Sequence, residues 1–340
     1  MPFVSPQAST KLQRSRRRII VDTDPGIDDA MSLLYLHANP NAELHSMTTV
    51  FGNGSVELTT RNANYLVNRF GLAVPVIAGA AGPLAGERIV PGLKVHGQDG
   101  LGDTGLASGQ SVHPSAQPAW QWIAEAARAN PGELTIIAIG PLTNLALALR
   151  NEPETASLIR EVIVMGGAMG THGRTGNITP FAEANFYYDP DAADLVLGAE
   201  WPVTMVGLDV TSDCILSADR ANAMPFDMGD AGQFLREISV GYEAIYREFD
   251  GIDGFVIHDV AAAICALSPD LFEFQTAAIK VTTQGDERGR TAIGSVTGRT
   301  AQRFCTKVTA SSLLKDFLTT MRAWSEPVEY EPFAMQQKGK

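Results

Sequence analysis

The sequence predicts one α/β domain: an open, Rossmann-like, mostly parallel sheet flanked by helices, with an antiparallel edge. Three observations predict it. Short β-branched apolar runs alternate with stretches of helical periodicity, which implies crossover units covered on both faces. No Pro/Ser/Gly-rich linker and no internal repeat divides the 340 residues. Hydrophobic residues make up 45% of the chain, enough for a sizeable core and too many for disorder.

Taken in order, the first 18 residues carry Lys11, Arg14, Arg16, Arg17 and Arg18 and no acid. They lack the apolar segment of a secretory signal, and Pro2 and Pro6 oppose an amphipathic helix. Residues 1–17 therefore read as a disordered basic tail, 18–324 as the folded domain and 325–340 as a C-terminal tail. Residues 19–21, 44–50, 134–139, 162–165 and 203–206 read as buried strands, each beside a Gly, Pro or Asp turn signal. Ile27, Met31, Leu34 and Tyr35 recur at helical spacing, as do Leu58, Ala63, Leu66 and Val67, and segments 142–149 and 192–197 continue the pattern. The Gly-rich stretches 78–109 and 166–176 lie between elements and read as site loops. Over 272–308 alternating strand-like runs replace the earlier pattern, and a helix around 311–321 closes the chain. That change places the antiparallel edge on the same sheet.

Charge and composition exclude several functions. Lys and Arg number 26 against 38 Asp and Glu, a formal net charge of −12, which argues against nucleic-acid binding. Cys214, Cys265 and Cys305 are odd in number and far apart, as suits a reducing, cytoplasmic compartment. No apolar run reaches the ~18 residues of a membrane helix, so a soluble protein is expected.

The most informative segment is Asp22-Thr23-Asp24-Pro25-Gly26-Ile27-Asp28-Asp29-Ala30, directly after the first strand. Ligands of open α/β sheets bind at such strand C-termini. One acid in a first helical turn is ordinary capping, but four crowded acids repel one another unless a cation neutralises them. Oxygen donors without His or Cys point to Ca²⁺ or Mg²⁺. Far along the chain, His258-Asp259 stands before the apolar helix 260–264. Such a pair is often an N-cap, and Asp259 gains interest because the first cluster needs further ligands.

Together these residues resemble the nucleoside hydrolase family, of the inosine–uridine preferring type, from about Arg18 to Met321. Supporting motifs follow in the family's order: Thr48-Thr49-Val50-Phe51-Gly52-Asn53, Val95-His96-Gly97-Gln98-Asp99-Gly100, Ile139-Gly140-Pro141-Leu142-Thr143-Asn144, Val164-Met165-Gly166-Gly167, Gly176-Asn177-Ile178-Thr179-Pro180, and Glu183-Ala184-Asn185. The resemblance implies Ca²⁺ held by Asp24, Asp29, Asp259 and the carbonyl of Ile139, with water and ribose hydroxyls completing ~6–8 ligands. It implies that Asp28, Asn53, Asn177, Glu183 and Asn185 hold the ribose, with Met165 lining the sugar pocket. The reaction implied is hydrolysis of a ribonucleoside to ribose and free base through an oxocarbenium-like transition state, with Asp24 as general base for the water. His258 matches the position that protonates the departing base, and His96 a pocket wall near it. Tyr242 and Tyr246 share one helical face and match aromatics over the base, although such pairs are equally often core. The family is commonly dimeric or tetrameric, so a homodimer or homotetramer is expected.

Ala184 departs from the Phe of well-known members, and Phe51 or Phe181 is the expected substitute. None of Trp120, Trp122, Trp201 and Trp324 falls in a site motif, unlike the purine-specific branch. A haloacid-dehalogenase-type phosphatase would need a downstream Lys and a late acidic pair. Lys94 is the only lysine between residues 12 and 279 and lies in a Gly-rich loop, and Asp28 and Asp29 come too early. A non-catalytic nucleoside or sugar binder on the same scaffold is the alternative, and retention of Asp24 with His258 argues against it. A phosphorylase would require an anion pocket that an acid-lined site opposes.

Overall fold

The computed structural model describes residues 16–89, 95–112, 115–294 and 298–325. The chain runs β1 (Arg17–Thr23), α1 (Ile27–Ala38), β2 (Ala42–Thr49), α2 (Val56–Phe70), β3 (Val76–Ala78) and α3 (Ala119–Ala129). Next come β4 (Leu134–Ala138), α4 (Thr143–Asn151), α5 (Thr155–Leu158), β5 (Glu161–Met165), α6 (Ala184–Tyr188), α7 (Pro190–Gly198), β6 (Val203–Val206) and the single turn α8 (Leu208–Thr211). The last part holds β7 (Ile215–Ser217), α9 (Ala218–Asp250), β8 (Gly254–Val256) and α10 (His258–Leu267). β9 (Phe272–Val281), β10 (Thr291–Ile293), β11 (Ala301–Val308) and α11 (Ala310–Ser325) complete it.

Among the described residues, nine strands form one sheet in the order β10-β9-β11-β6-β5-β4-β1-β2-β3. Pairings from β3 through β6 to β11 are parallel, and β9 runs antiparallel to both β11 and β10. The expected mostly parallel sheet with an antiparallel edge is therefore present. Ile19 and Val21 join Ile137 and Ile163 in one apolar cluster, with α1, α9, α10 and α11; Ile20 joins Ile136 and Val162 in the other, with α3, α4 and α7. This period of two across adjacent strands is what burial on both faces demands.

Strand order reverses at β1, with β2 on one side and β4 on the other, so the loop after β1 opens at the topological switch point. α10, carrying His258 at its first position, packs against α1. Short β3, α3 and the antiparallel β7–β8 pair are additions to the sequence reading. The expected tails lie outside the described residues except Arg16 and Arg17, the latter opening β1, and Ser325, which ends α11. Among the described residues, no helix is long and apolar enough to cross a membrane.

Candidate active site

β1 ends at Thr23 and α1 begins at Ile27, so Asp24-Pro25-Gly26 forms the connection and Asp28 and Asp29 fall in the first helical turn. α10 brings in Asp259. All four carboxylates are buried, at 1% exposure for Asp24, 4% for Asp28, 0% for Asp29 and 4% for Asp259. Oxygens of Asp28, Asp29 and Asp259 lie within 4.8 Å of one another, a spacing suited to a shared cation. Asp29 is tightly held: Thr23 Oγ1 donates at 2.6 Å, Gly26 N at 2.9 Å and Asn53 Nδ2 at 3.2 Å. Asp28 Oδ2 accepts from the backbone N–H of Asp259 at 3.3 Å.

Asp24 differs in one respect. Its Oδ2 accepts from Asn53 N at 2.7 Å, but its Oδ1 is buried with no hydrogen-bond partner among the described residues. A Cβ at Gly140 would stand 2.6 Å from that Oδ1, and one at Gly52 would stand 2.0 Å from Oδ2. Both glycines are required because the carboxylate occupies the space a side chain would take. An orphaned carboxylate oxygen of this kind is costly, and a cation is the natural partner.

Burial pushes the carboxyls upward. Asp28 rises to about 7, chiefly by burial and then by the charge of Asp29. Burial also raises Asp24, with Asp29 next, and Asp259, with Asp28 next. Asp29 rises for the same first reason, against the lowering effect of its bond from Thr23. The donors around the cluster are neutral hydroxyl, amide and backbone groups, so they soften the repulsion without cancelling it. The all-oxygen donor set fits a hard cation such as Ca²⁺ or Mg²⁺ and not zinc. The Ile139 carbonyl, one residue past the end of β4, accepts from Asn185 Nδ2 at 3.1 Å and keeps a second lone pair.

A cavity of about 510 Å³ lies above the cluster. Asp28, Asn53, His96, Ile139, Met165, Asn177, Glu183, Asn185, Tyr242, Tyr246, His258 and Asp259 all line it, so the structure brings these sequence-selected residues together. Asp24 and Asp29 are buried behind the lining. On one wall Glu183 caps α6, accepting from Asn185 N at 2.9 Å, Phe186 N at 3.1 Å and Gly167 N at 2.9 Å. Its burial raises the carboxyl to about 7. Asn177 Oδ1 accepts from Ala184 N at 3.0 Å, which ties the preceding loop to the same wall.

The other wall is aromatic. His96 stacks on Tyr242 with ring centroids 5.2 Å apart and planes at 28°. His96 Nδ1 accepts from Ile27 N at 3.0 Å, and burial lowers the imidazole to about 4, so it is neutral with its proton on Nε2. His258 Nε2 meets Tyr246 OH at 2.9 Å and its Nδ1 meets Thr211 Oγ1 at 2.7 Å. Burial, followed by His96, holds His258 down to about 3. Tyr242 is only 2% exposed yet faces the cavity, so it serves as both core and wall.

Some lining residues lie outside the motifs. Ile245 lies three residues after Tyr242 and Phe249 three after Tyr246, so both share the helical face of the two tyrosines, and Arg174 enters from the Gly-rich loop. The expected aromatic substitutes for Ala184 do not reach the cavity lining. Phe51 is fully buried beside Val50 and Tyr188, and Phe181 lies beneath the Arg290 guanidinium at 5.8 Å. Tyr188 and Phe249 are aromatics that do line it, and none of the four tryptophans does.

Over residues 19–315 the chain matches the family model described as inosine-uridine preferring nucleoside hydrolase. It is 38% identical to uridine nucleosidase 1 of Arabidopsis thaliana over 271 residues, 79% of each chain. It is also 38% identical over 284 residues to the non-specific ribonucleoside hydrolase RihC of Salmonella enteritidis, covering 84% of this chain and 89% of that one. The solved plant nucleoside hydrolase PpNRh1 superposes with a TM-score of 0.85 at 30% identity, over 90% of this chain and 99% of that one.

Proposed function

Because the chain belongs to the inosine-uridine preferring nucleoside hydrolase family, we propose that it hydrolyses the N-glycosidic bond of ribonucleosides to ribose and free base, with Ca²⁺ held by Asp24, Asp29, Asp259 and the Ile139 carbonyl. The observation that carries the metal assignment is the buried Oδ1 of Asp24, which has no hydrogen-bond partner among the described residues and lies among four buried carboxylates. When bound, calcium offsets their mutual repulsion, grips the ribose diol and acidifies water. Uridine is the first substrate to try, since a relative at 38% identity is a uridine nucleosidase.

The chain's own residues then divide the work. Asp28, Asn53, Asn177, Glu183 and Asn185 present hydrogen-bonding groups to the sugar hydroxyls, and Met165 packs against the ring. Asp24, raised in basicity by burial and by Asp29, takes the proton of the attacking water. As the glycosidic bond lengthens, positive charge gathers on the ribosyl carbon and oxygen, and the carboxylates beneath stabilise it. Negative charge gathers on the base, which lies against His96, Tyr242, Tyr246 and His258. His258 is neutral at neutral pH, so its aid to the leaving group is the N–H it carries.

Ribose release from uridine, inosine, cytidine and adenosine in phosphate-free buffer tests this reading. Free ribose from the wild type, with none from Asp24→Ala, supports it. Failure of all four nucleosides, with calcium shown to be bound, would replace the hydrolase by a binder.

A further inference from the structure

His258 sits inside a chain of hydrogen bonds whose two ends fix its direction. At one end Tyr242 OH lies 3.3 Å from the Val256 carbonyl, which can only accept. Tyr242 therefore spends its proton there and can only accept from Tyr246 OH, 3.4 Å away. Tyr246 spends its own proton on Tyr242, so at 2.9 Å it accepts from His258 Nε2. At the other end Thr211 is fully buried, and its hydroxyl contacts His258 Nδ1 at 2.7 Å with no other hydrogen-bond partner among the described residues. A buried hydroxyl proton without an acceptor costs roughly 1–3 kcal/mol, so Thr211 donates and Nδ1 accepts. Reversing the chain would strand the Thr211 proton. Both ends give the same answer: the ring carries its proton on Nε2, on the cavity side.

We propose that Thr211 is a positioning residue for the leaving-group step: its hydroxyl occupies Nδ1 and so holds His258 in the tautomer that presents Nε2–H toward Tyr246 and the departing base. The placement is built into the fold. Thr211 ends the single turn α8 that follows β6, and its backbone N–H is bonded to Gly207 O at 3.1 Å, so the hydroxyl approaches from a fixed base. Without it, the Nδ1–H tautomer becomes accessible, and in that form Nε2 meets the leaving group as an acceptor. The role rests on the assignment of His258 to leaving-group assistance above.

Thr211→Val keeps the shape and removes the hydroxyl; Thr211→Ser keeps the hydroxyl. With uridine, whose base leaves poorly, Thr211→Val is expected to lower kcat about 10–100-fold with little change in KM, the scale seen when an orienting partner is lost. With p-nitrophenyl riboside, whose leaving group needs no proton, the loss should stay within about threefold. Thr211→Ser should restore uridine turnover. Nitrogen-15 NMR of histidine-labelled protein reads the tautomer directly, the His258 signal being identified by its absence in His258→Ala. Nε2–H in the wild type and a mixture in Thr211→Val support the proposal. An Nδ1–H ring in the wild type overturns it, as do equal losses on the two substrates or no loss on uridine. If His258→Ala discriminates between the substrates and Thr211→Val does not, only the Thr211 role falls. If neither discriminates, the assignment of His258 falls with it.

Discussion

Asp22 offers a clean measurement of what a buried carboxylate does to this fold. It is fully buried beside the carboxylate cluster, and its Oδ1 accepts from Thr48 Oγ1 at 2.6 Å and Asn144 Nδ2 at 2.8 Å. Its Oδ2 has no hydrogen-bond partner among the described residues, and burial raises the carboxyl from 3.8 to about 7. A carboxyl raised on folding binds more protons in the native state, so the stability it supports at low pH is lost as pH rises from 3.8 through about 7. That interval corresponds to a penalty of roughly 4 kcal/mol at pH 8 and ~1–2 kcal/mol at pH 5. Asp22→Asn keeps the oxygen that accepts both bonds and removes the titration. Its new amide N–H₂ replaces the orphaned oxygen and adds a penalty of ~1–3 kcal/mol that does not change with pH. The comparison is therefore between pH values: relative to wild type, the variant should gain about 2–3 kcal/mol on going from pH 5 to pH 8. Urea denaturation of chelator-treated protein at both values gives this difference. Parallel pH dependences in variant and wild type would refute the reasoning, because Asp22 would then not titrate in that interval.

Calcium should raise Tm more at pH 8 than at pH 5, since burial and like charge raise Asp24, Asp28, Asp29 and Asp259 and protons compete with the cation at the lower pH; a thermal shift series with and without calcium shows it. Gly140→Ala places a Cβ 2.6 Å from Asp24 Oδ1, so calcium affinity in a titration should fall tenfold or more by order of magnitude, with a stability loss of ~1–3 kcal/mol. Glu183→Gln leaves one end of the side chain unable to accept from backbone N–H groups of Gly167, Asn185 or Phe186, and chemical denaturation should report a loss of ~1–3 kcal/mol together with slower turnover.

The parts of the molecule visible in its sequence are those where one short segment carries the whole signal. β1, β4 and β5 are buried on both faces and read as continuous apolar runs, and Asp22 to Asp29 put their chemistry in a single loop and turn. β3 has only three residues, and the buried face of the eleven-residue α3 is alanine apart from Ile123, which gives little hydrophobic contrast along the sequence. α9 spans 33 residues in spite of Pro225, with a break at Gly229 where φ is +54, so its helical pattern is legible in the sequence only in the final turns around Tyr242 and Tyr246. The site was legible where a residue type is chemically rare in its setting, such as crowded acids or a histidine at a helix start. Thr211 gives no such sign, because threonine is common and its partner lies 47 positions away. The expectation for Phe51 and Phe181 failed for a related reason: proximity to a motif in sequence says nothing about which face of the chain a side chain occupies.

Turnover of uridine by protein stripped of metal, followed as calcium is added back with binding measured by equilibrium dialysis in the same samples, tests most directly whether the four buried carboxylates serve a calcium-dependent hydrolase. We expect almost no ribose release from the stripped protein, and recovery that tracks the binding of one ion per chain. Full ribose release from protein that holds no metal would contradict the role given to Asp24 and its neighbours.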